Sequence, residues 1–457
     1  MQSKVLFGIV LAWSLVSLSW AQSNSDKNVL KGLAPVSVLL NTDTGKAALA
    51  ANYDVTGGIQ DGTIKQPILL PFQQQQEQAL QDAFITDKDL SQLSDGLGTT
   101  LGAAYAARFH YLDSKHVSPM PEPLEDLIRY ADSVSGAHSN SAKYLFANGT
   151  TNGKNSVSPE LFSILKEMGG TQDVFGKAYK LPAGSPGGDA YGDSRPFQTG
   201  KTLLKFGGTD YFSNLSDNDV YNYGPRMDLT NSPSYPSGHT TYGYTGAVLL
   251  AVLVPERYPQ MIVRGAEYGN DRILMGSHYA MDVLGGRTLA LYDMAHLLAN
   301  DRAYMGVSVR GATPINDFQS AVRKARSELI PILEAACGHT IEQCASQDIG
   351  RFSKDEPDEA FYDATQTYDL PVVYANTAAT KEDVGKLAPE AGYLLTIAFP
   401  SLTLDQADKI LTETEGPGGG FLDNGSSFGV YSRLNLYAAT RRLAKAASED
   451  SKTDSPK

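Results

Sequence analysis

One short segment in the middle of the chain could bind an anion. Pro236-Ser237-Gly238-His239 stands directly before a long apolar run. A helix beginning there would offer unpaired backbone N–H groups and the positive end of its dipole, and the glycine would permit close approach of a ligand. The segment predicts an anion-binding helix start, with His239 beside it as a proton donor. An ordinary serine cap and a loop histidine are the structural alternative.

A second segment could supply a nucleophile. His278 and Asp282 are four positions apart, and Arg272 precedes them. If a helix starts here, the two side chains share a face, and the carboxylate accepts a hydrogen bond from one imidazole nitrogen. The other nitrogen then presents a lone pair that can attack phosphorus, while the carboxylate stabilises the cation that forms. Taken alone, such a pair is more often a surface hydrogen bond.

A third segment, Arg195-Pro196, adds a permanent positive charge. The guanidinium is a rigid fork of donors that suits an oxyanion, and the proline restricts the loop around it. Most Arg-Pro pairs are surface loops, so this pair indicates little without the other two segments.

In this order and spacing, the Arg-Pro, Pro-Ser-Gly-His and Arg-x5-His-x3-Asp segments resemble the three-part signature of the type 2 phosphatidic acid phosphatase and vanadium haloperoxidase superfamily. The resemblance extends from about residue 176 to 290. It implies a helical-bundle fold, with His278 as the nucleophile, Asp282 as its orienting group and His239 as the general acid. It also implies that the phosphoryl oxygens are bound by Arg195, Ser237, Gly238 and Arg272.

One position departs from that signature. The family has a lysine seven residues before the first arginine, and this chain has Gly188 there. Lys180 would come into register if residues 184–191 were an inserted loop, and Lys177 is a second candidate. If neither reaches the phosphate, a charge-assisted contact of about 1.5 to 3 kcal/mol is missing or another cation replaces it. The chain also has Asp271 where the family commonly has serine.

The elements that must position these residues are predicted to be helices, because few segments alternate with period two. The fold class is therefore all-α, a bundle with additional N- and C-terminal helices. Gly285 and Gly286 fall inside a predicted helix and indicate that another helix packs closely there. Besides a helix beginning near Gln73, the predicted helices are Leu124–Val134, Pro159–Met168, Thr240–Val254, Pro259–Tyr268, Ser277–Ala299, Pro314–Ala335, Leu404–Thr412 and Leu434–Ala447.

The two ends of the chain are predicted to lie outside the bundle. Residues 1–21 are typical of a signal peptide, with Lys4 before an apolar stretch and Ala21 at its end. An uncleaved anchor is the alternative, and nothing later in the chain is apolar for long enough to span a membrane. Residues 22–70 are predicted to be an extended lead-in, residues 71–447 a single all-α phosphatase domain with its motif core at about 176–300, and residues 448–457 a flexible tail.

The two cysteines of the chain, Cys337 and Cys344, lie close together in sequence. In an exported protein they are predicted to form a disulfide. A metal site formed with His339 is the alternative, but a fourth ligand is not evident. The remaining histidines have no potential partner at a sequence spacing that would indicate a shared site.

The formal charge of -13 argues against a nucleic-acid or anionic-membrane surface. The signal peptide predicts export, and the resemblance implies a metal-independent phosphatase that hydrolyses small soluble phosphate monoesters through a phosphohistidine on His278, without a cofactor. The alternative is a vanadium-dependent haloperoxidase that binds vanadate in the same pocket, and a non-catalytic binding protein is a third hypothesis.

Overall fold

The computed structural model describes residues 26–64, 69–84, 86–200, 203–348 and 350–453, and it confirms the all-α prediction. Within those ranges the only strands are β1 (Gly207–Thr209) and β2 (Leu215–Asp217), a small antiparallel ribbon that pairs Gly208 with Ser216. The helices are α1 (26–33), α2 (Asp43–Asp61), α3 (Phe72–Gln81), α4 (Thr99–Arg108), α5 (Glu122–Asn148), α6 (Pro159–Glu167), α7 (Val174–Ala178), α8 (Pro196–Thr199), α9 (Asp219–Asn222), α10 (Gly238–Leu253), α11 (Tyr258–Leu274), α12 (Ala280–Leu298), α13 (Phe318–Cys337), α14 (Ile341–Gln347), α15 (Asp355–Thr367), α16 (Ala375–Ala378), α17 (Val384–Leu387), α18 (Tyr393–Thr396), α19 (Leu404–Glu413) and α20 (Leu436–Thr453). Short 3₁₀ helices lie at Ala34–Asn41, Ser91–Leu97, Pro255–Arg257 and Gly429–Arg433.

The central helix is α10, in which every residue from His239 to Leu253 is buried. Its apolar residues surround the whole helix, which is typical of a helix enclosed by others. α11 and α12 pack against it, and α5 lies against both α10 and α12. The start of α10, the end of α11 and the start of α12 therefore meet at one end of the bundle. The residues of the Pro-Ser-Gly-His and Arg-x5-His-x3-Asp segments lie on or next to these ends.

The prediction of an extended lead-in over residues 22–70 is wrong, because α1, a 3₁₀ helix and α2 occupy the described part of it. Its apolar residues are buried in the main core, Val29 and Leu33 among them. Two polar residues of α2 have partners in α12. Thr56 Oγ1 accepts a hydrogen bond from the Ala280 N–H at 3.0 Å, and Asn52 Oδ1 accepts one from the Met281 N–H at 2.9 Å.

Three helices have bounds that matter for the site or the chain ends. α5 extends to Asn148, well beyond the predicted end at Val134, and α12 begins at Ala280 rather than Ser277. α20 continues to Thr453, so the predicted flexible tail is helical over residues 448–453. Residues 454–457 and the predicted signal peptide lie outside the described residues.

The C-terminal third packs onto the motif helices. The main hydrophobic core includes Val29 near the start and Ala439 near the end of the described chain. On α12, Arg287 donates to the Tyr362 hydroxyl at 2.8 Å and to the Leu434 carbonyl at 3.3 Å. Among the described residues, none of the helices has the length and hydropathy needed to cross a bilayer.

Candidate active site

Asp282 holds His278 in a fixed orientation. Its Oδ2 lies 3.2 Å from His278 Nδ1 and accepts the Tyr279 N–H at 2.8 Å as well as the Ser234 hydroxyl. Because α12 begins at Ala280, Asp282 caps its first turn and reaches back to a histidine in the preceding loop. The predicted pair forms, although the two residues do not share a helical face.

The environment of His278 favours a neutral ring. Burial, followed by the charges of Arg195 and Lys143, lowers the pKa of His278 well below its usual value. Burial raises the pKa of Asp282 to about 7, and the hydrogen bonds from Ser234 and the Tyr279 N–H oppose that shift. With Nδ1 directed at the carboxylate, the lone pair is on Nε2, and Arg195 Nη1 lies 2.9 Å from it.

Arg195 is locked in place by backbone carbonyls. Its Nε donates to the Ser232 carbonyl at 2.6 Å and its Nη1 to the Ser277 carbonyl at 2.9 Å. The residue precedes α8, whose Gln198 side chain accepts the Arg195 N–H at 2.8 Å. The guanidinium is thereby held against His278, where a bound oxyanion would meet it.

The predicted anion-binding helix start is the start of α10, where residues 236–239 form a cradle for an anion. Ser237 is its N-cap, and the hydroxyl accepts the Thr240 N–H at 3.2 Å, so the capping alternative also holds for this residue. Gly286 explains why the cradle can lie so close to α12. A Cβ on Gly286 would come within 2.5 Å of the Ser237 carbonyl oxygen. The close packing predicted from Gly285 and Gly286 is therefore the contact between α12 and the cradle.

His239 faces His278 across the site. The two ring centroids are 5.9 Å apart, and His239 Nε2 is buried without a hydrogen-bond partner among the described residues. Burial, then the charges of Arg272, Arg195 and Lys143, lower the pKa of His239 well below its usual value. A hydrogen bond with the Ala83 backbone opposes this shift. An unpaired ring nitrogen in this position can exchange a proton with a bound ligand.

The end of α3 orients Arg272, a contribution that the motif segments do not reveal. Arg272 Nη2 donates to the Ala79 carbonyl at 3.2 Å, and the guanidinium lies 5.1 Å from the centroid of the Tyr268 ring. The neighbouring Asp271 is buried and accepts from Gln75 Nε2 of α3 at 2.9 Å. Asp271 thus ties α11 to α3, which is a structural role for the position where the family commonly has serine.

The structure does not bring either candidate lysine to these residues. Lys177 is exposed and donates to the Gln172 carbonyl at 2.6 Å. Lys180 is exposed and lines a surface groove beside Lys46. The assignment of Lys180 is therefore corrected, because the loop after α7 turns its side chain toward solvent. A Cβ on Gly188 would already lie 3.0 Å from the Leu181 side chain.

The lysine that reaches the site is Lys143 of α5. Its Nζ is 3.8 Å from the position that a Cβ on Gly238 would take, and the side chain is buried. Sequence reasoning missed this residue because the helix was predicted to end at Val134. The helical period of the residues after Val134 was the signal that could have found it.

The site gathers three cationic side chains that no described carboxylate contacts directly. Among the described residues, Arg195, Arg272 and Lys143 form no ion pair, although all three are buried. Burying an unpaired charge costs several kcal/mol, so such a cluster is expected to bind an anion. No group of three or more potential metal-ligating side chains was found in the described part of the chain.

Cys337 and Cys344 lie away from this site. They are joined by a disulfide between the end of α13 and α14, with their Cα atoms 6.3 Å apart. The bridge closes one local turn of the C-terminal third.

Comparison with known protein families identifies the domain that contains most of these site residues. Residues 189–299 match the model described as the PAP2 superfamily. This protein contains a PAP2 superfamily domain. The PAP2 match includes Arg195, Ser237, His239, His278 and Asp282, whereas Lys143 lies before it.

Part of the chain also resembles curated proteins. The non-specific acid phosphatase of Salmonella typhimurium is 35% identical over 101 residues, which is 22% of this chain and 34% of that protein. The acid phosphatase of Zymomonas mobilis is 37% identical over 82 residues, covering 18% of this chain and 31% of its own length. The non-specific acid phosphatase of Providencia stuartii is 32% identical over 100 residues. The chain thus spans about a third of the length of these relatives.

Proposed function

We propose that this protein hydrolyses small phosphate monoesters through a phosphohistidine at His278. The observation that supports this most strongly is the orientation of His278, whose Nδ1 faces Asp282 and whose Nε2 lies against the Arg195 guanidinium. A neutral imidazole held in this way is a nucleophile directed into an anion site. The relatives are an acid phosphatase and a non-specific acid phosphatase, and both names agree with this reaction.

In the first step, His278 Nε2 forms a bond to phosphorus as the bond from phosphorus to the ester oxygen breaks. His239, in its protonated form, gives a proton to the departing alcohol. Arg195, Arg272 and the start of α10 stabilise the negative charge on the equatorial oxygens. In the second step, His239 accepts a proton from water, the water oxygen bonds to phosphorus, and the bond to His278 breaks to release phosphate.

We propose that this chemistry needs no metal ion. Phosphoryl transfer depends mainly on positioning and on positive charge around the transferred group, and the arginines supply that charge. We also propose that the protein is exported. The apolar N-terminal segment and the disulfide between Cys337 and Cys344 support this localisation.

The test is hydrolysis of p-nitrophenyl phosphate by the purified chain in the presence of EDTA, with and without vanadate. We expect activity that survives EDTA and is inhibited by vanadate. His278→Ala should abolish it, whereas His116→Ala, a matched change at an exposed histidine bound to Asp113, should not. Acid-labile phosphate should be found on His278 in rapidly quenched wild-type protein and be absent from His278→Ala.

Two results would contradict the proposal. Peroxide-dependent halide oxidation after vanadate loading, without phosphate ester hydrolysis, would establish the haloperoxidase alternative. Phosphate binding without either activity would establish a binding protein.

A further inference from the structure

Two polar side chains of α5 converge on the start of α10. Lys143 Nζ lies 3.8 Å from the position of a Cβ on Gly238, and Ser139 Oγ lies 3.6 Å from the same position. The two residues are four positions apart, so they share one face of α5. Neither belongs to the three motif segments, and both precede the PAP2 match.

Both groups are buried without a partner. Lys143 is 7% exposed and Ser139 is 1% exposed. Ser139 Oγ makes no hydrogen bond to the described residues, and Lys143 forms no ion pair with them, although the more distant charges of Asp282 and Asp189 act on it. Since an unpaired buried ammonium costs several kcal/mol, its presence here indicates a ligand rather than a contribution to folding.

The motif lysine is missing from this chain, and no lysine near that motif position reaches the site. The residue at the motif position is Gly188, where a longer side chain would meet Leu181. Lys177 and Lys180 are exposed, so neither supplies the missing charge. Lys143 lies before the motif segments in the chain. It reaches the phosphate site from α5, a helix that packs against both α10 and α12.

We propose that Lys143 binds a phosphoryl oxygen of the substrate and of the transition state, and that Ser139 donates a hydrogen bond beside it. This inference rests on the proposed phosphatase function. It assigns the third cation of the site to α5, outside the segment that matches the family, and it makes α5 a part of the binding site rather than a packing helix alone.

The electrostatics of Lys143 agree with an anionic ligand. Burial, then the charge of Arg195, lower the pKa of Lys143 to about 7, whereas Asp282 and Asp189 oppose the shift. The titratable and charged groups that interact with it are Arg195, His239 and His278 on the cationic side and Asp282 and Asp189 on the acidic side. A bound phosphate would raise this pKa, because it favours the charged ammonium.

The test compares Lys143→Met and Lys143→Arg with Lys177→Met and Lys180→Met in p-nitrophenyl phosphate hydrolysis. Loss of one charge-assisted contact should lower kcat/KM of Lys143→Met by about 10- to 100-fold and weaken vanadate inhibition by a similar factor. Lys143→Arg should retain part of the activity and extend the alkaline limb of the kcat/KM profile, because arginine stays charged. The two exposed-lysine variants should remain within about twofold of wild type.

A second measurement separates binding from folding. Inorganic phosphate should raise the melting temperature of the wild type, and this shift should be much smaller in Lys143→Met. Without phosphate, Lys143→Met should melt at or above the wild-type temperature, since it removes an unpaired buried charge. Unchanged kcat/KM and an unchanged phosphate shift in Lys143→Met would overturn the inference, as would equal losses in Lys177→Met or Lys180→Met.

The two proposals can fail separately. If the wild type does not hydrolyse phosphate esters, the proposed function fails, while the phosphate-dependent melting shift still tests Lys143. If the wild type is active and His278→Ala is not, but Lys143→Met is fully active, only the inference about Lys143 fails.

Discussion

At the scale of single residues, the site depends on two imidazoles whose surroundings both favour the neutral form. Burial and the surrounding cations lower the pKa values of His239 and His278. For His278 this is favourable, because a nucleophile needs its lone pair. For His239 it creates a conflict, because a general acid must be protonated. A bound phosphate dianion resolves the conflict by offsetting the charges of Arg195 and Arg272.

The pH dependence follows from His239. With a lowered pKa, its protonated fraction increases as the pH falls, so we expect kcat/KM to rise toward acidic pH. The rise should stop where protonation of His278 or Asp282 removes the oriented nucleophile, which gives an optimum on the acidic side of neutrality. Initial rates with an alkyl phosphate, measured from about pH 3 to about pH 9 in steps of about half a pH unit, would check this.

A comparison of leaving groups isolates the role of His239. His239→Ala should lower the rate by about 100- to 10,000-fold with an alkyl phosphate, whose alkoxide needs a proton. The loss should be smaller with p-nitrophenyl phosphate, whose leaving group is stable as an anion. Equal losses with both esters would contradict a general-acid role, and His116→Ala provides the control.

At the scale of elements, the site is held by helix ends that are joined to one another. Ser237 N–H donates to the Asp282 carbonyl at 3.0 Å, which connects the start of α10 to α12. α2 accepts the first N–H groups of α12 through Thr56 and Asn52, and α3 holds Arg272 through the Ala79 carbonyl. These N-terminal helices fix the angles at which the motif residues meet.

A buried ion-pair network reinforces the contact between α3 and α11. Arg264 donates to both carboxylate oxygens of Asp82 at 2.7 Å, and both side chains are buried. Arg264 lies eight positions before Arg272 on α11, and Asp82 directly follows the end of α3. Because losing one partner would leave a buried charge, the network holds these two helices in register.

Gly286 offers a test of the contact between α12 and the cradle. A methyl group there would meet the Ser237 carbonyl at 2.5 Å and the Thr240 Cβ at 3.0 Å, so α10 must move. We expect Gly286→Ala to destabilise the protein by about 1 to 3 kcal/mol and to lower kcat/KM by displacing Ser237.

The matched control is Gly57→Ala on α2, where a Cβ would meet nothing within 4 Å. It should leave activity unchanged and stabilise the protein by up to about 1 kcal/mol, since alanine favours helix. Urea unfolding and p-nitrophenyl phosphate kinetics of both variants would check the pair. Wild-type activity in Gly286→Ala would show that the cradle tolerates the shift.

At the scale of the whole molecule, the matched domain shares its hydrophobic core with the segments on either side of it. The main core extends from Val29 to Ala439, and α12 is bound through Arg287 to residues of the C-terminal third. The fragment 189–299 lacks Lys143, the end of α3 and the α2 residues that cap α12. Its central helix α10 would therefore expose apolar surface that other segments cover in the full chain.

We predict that the isolated fragment 189–299 does not fold to a cooperative, active state. Its circular dichroism should show no sharp thermal transition, and it should be digested rapidly under conditions in which the full chain resists a protease. The full chain is the control. A cooperative transition together with hydrolysis by the fragment would contradict the prediction. It would show that the flanking helices are not required for folding or activity.

The sequence by itself determined the helical class and the chemistry-bearing residues of the motifs, because helical periodicity and the segments around His239 and His278 are local patterns. It also predicted the close packing at Gly285 and Gly286. Only the tertiary structure decided that residues 26–61 are helical core and that Lys143, rather than Lys177 or Lys180, reaches the start of α10. Those facts depend on contacts between residues far apart in the chain, which periodicity and spacing do not contain.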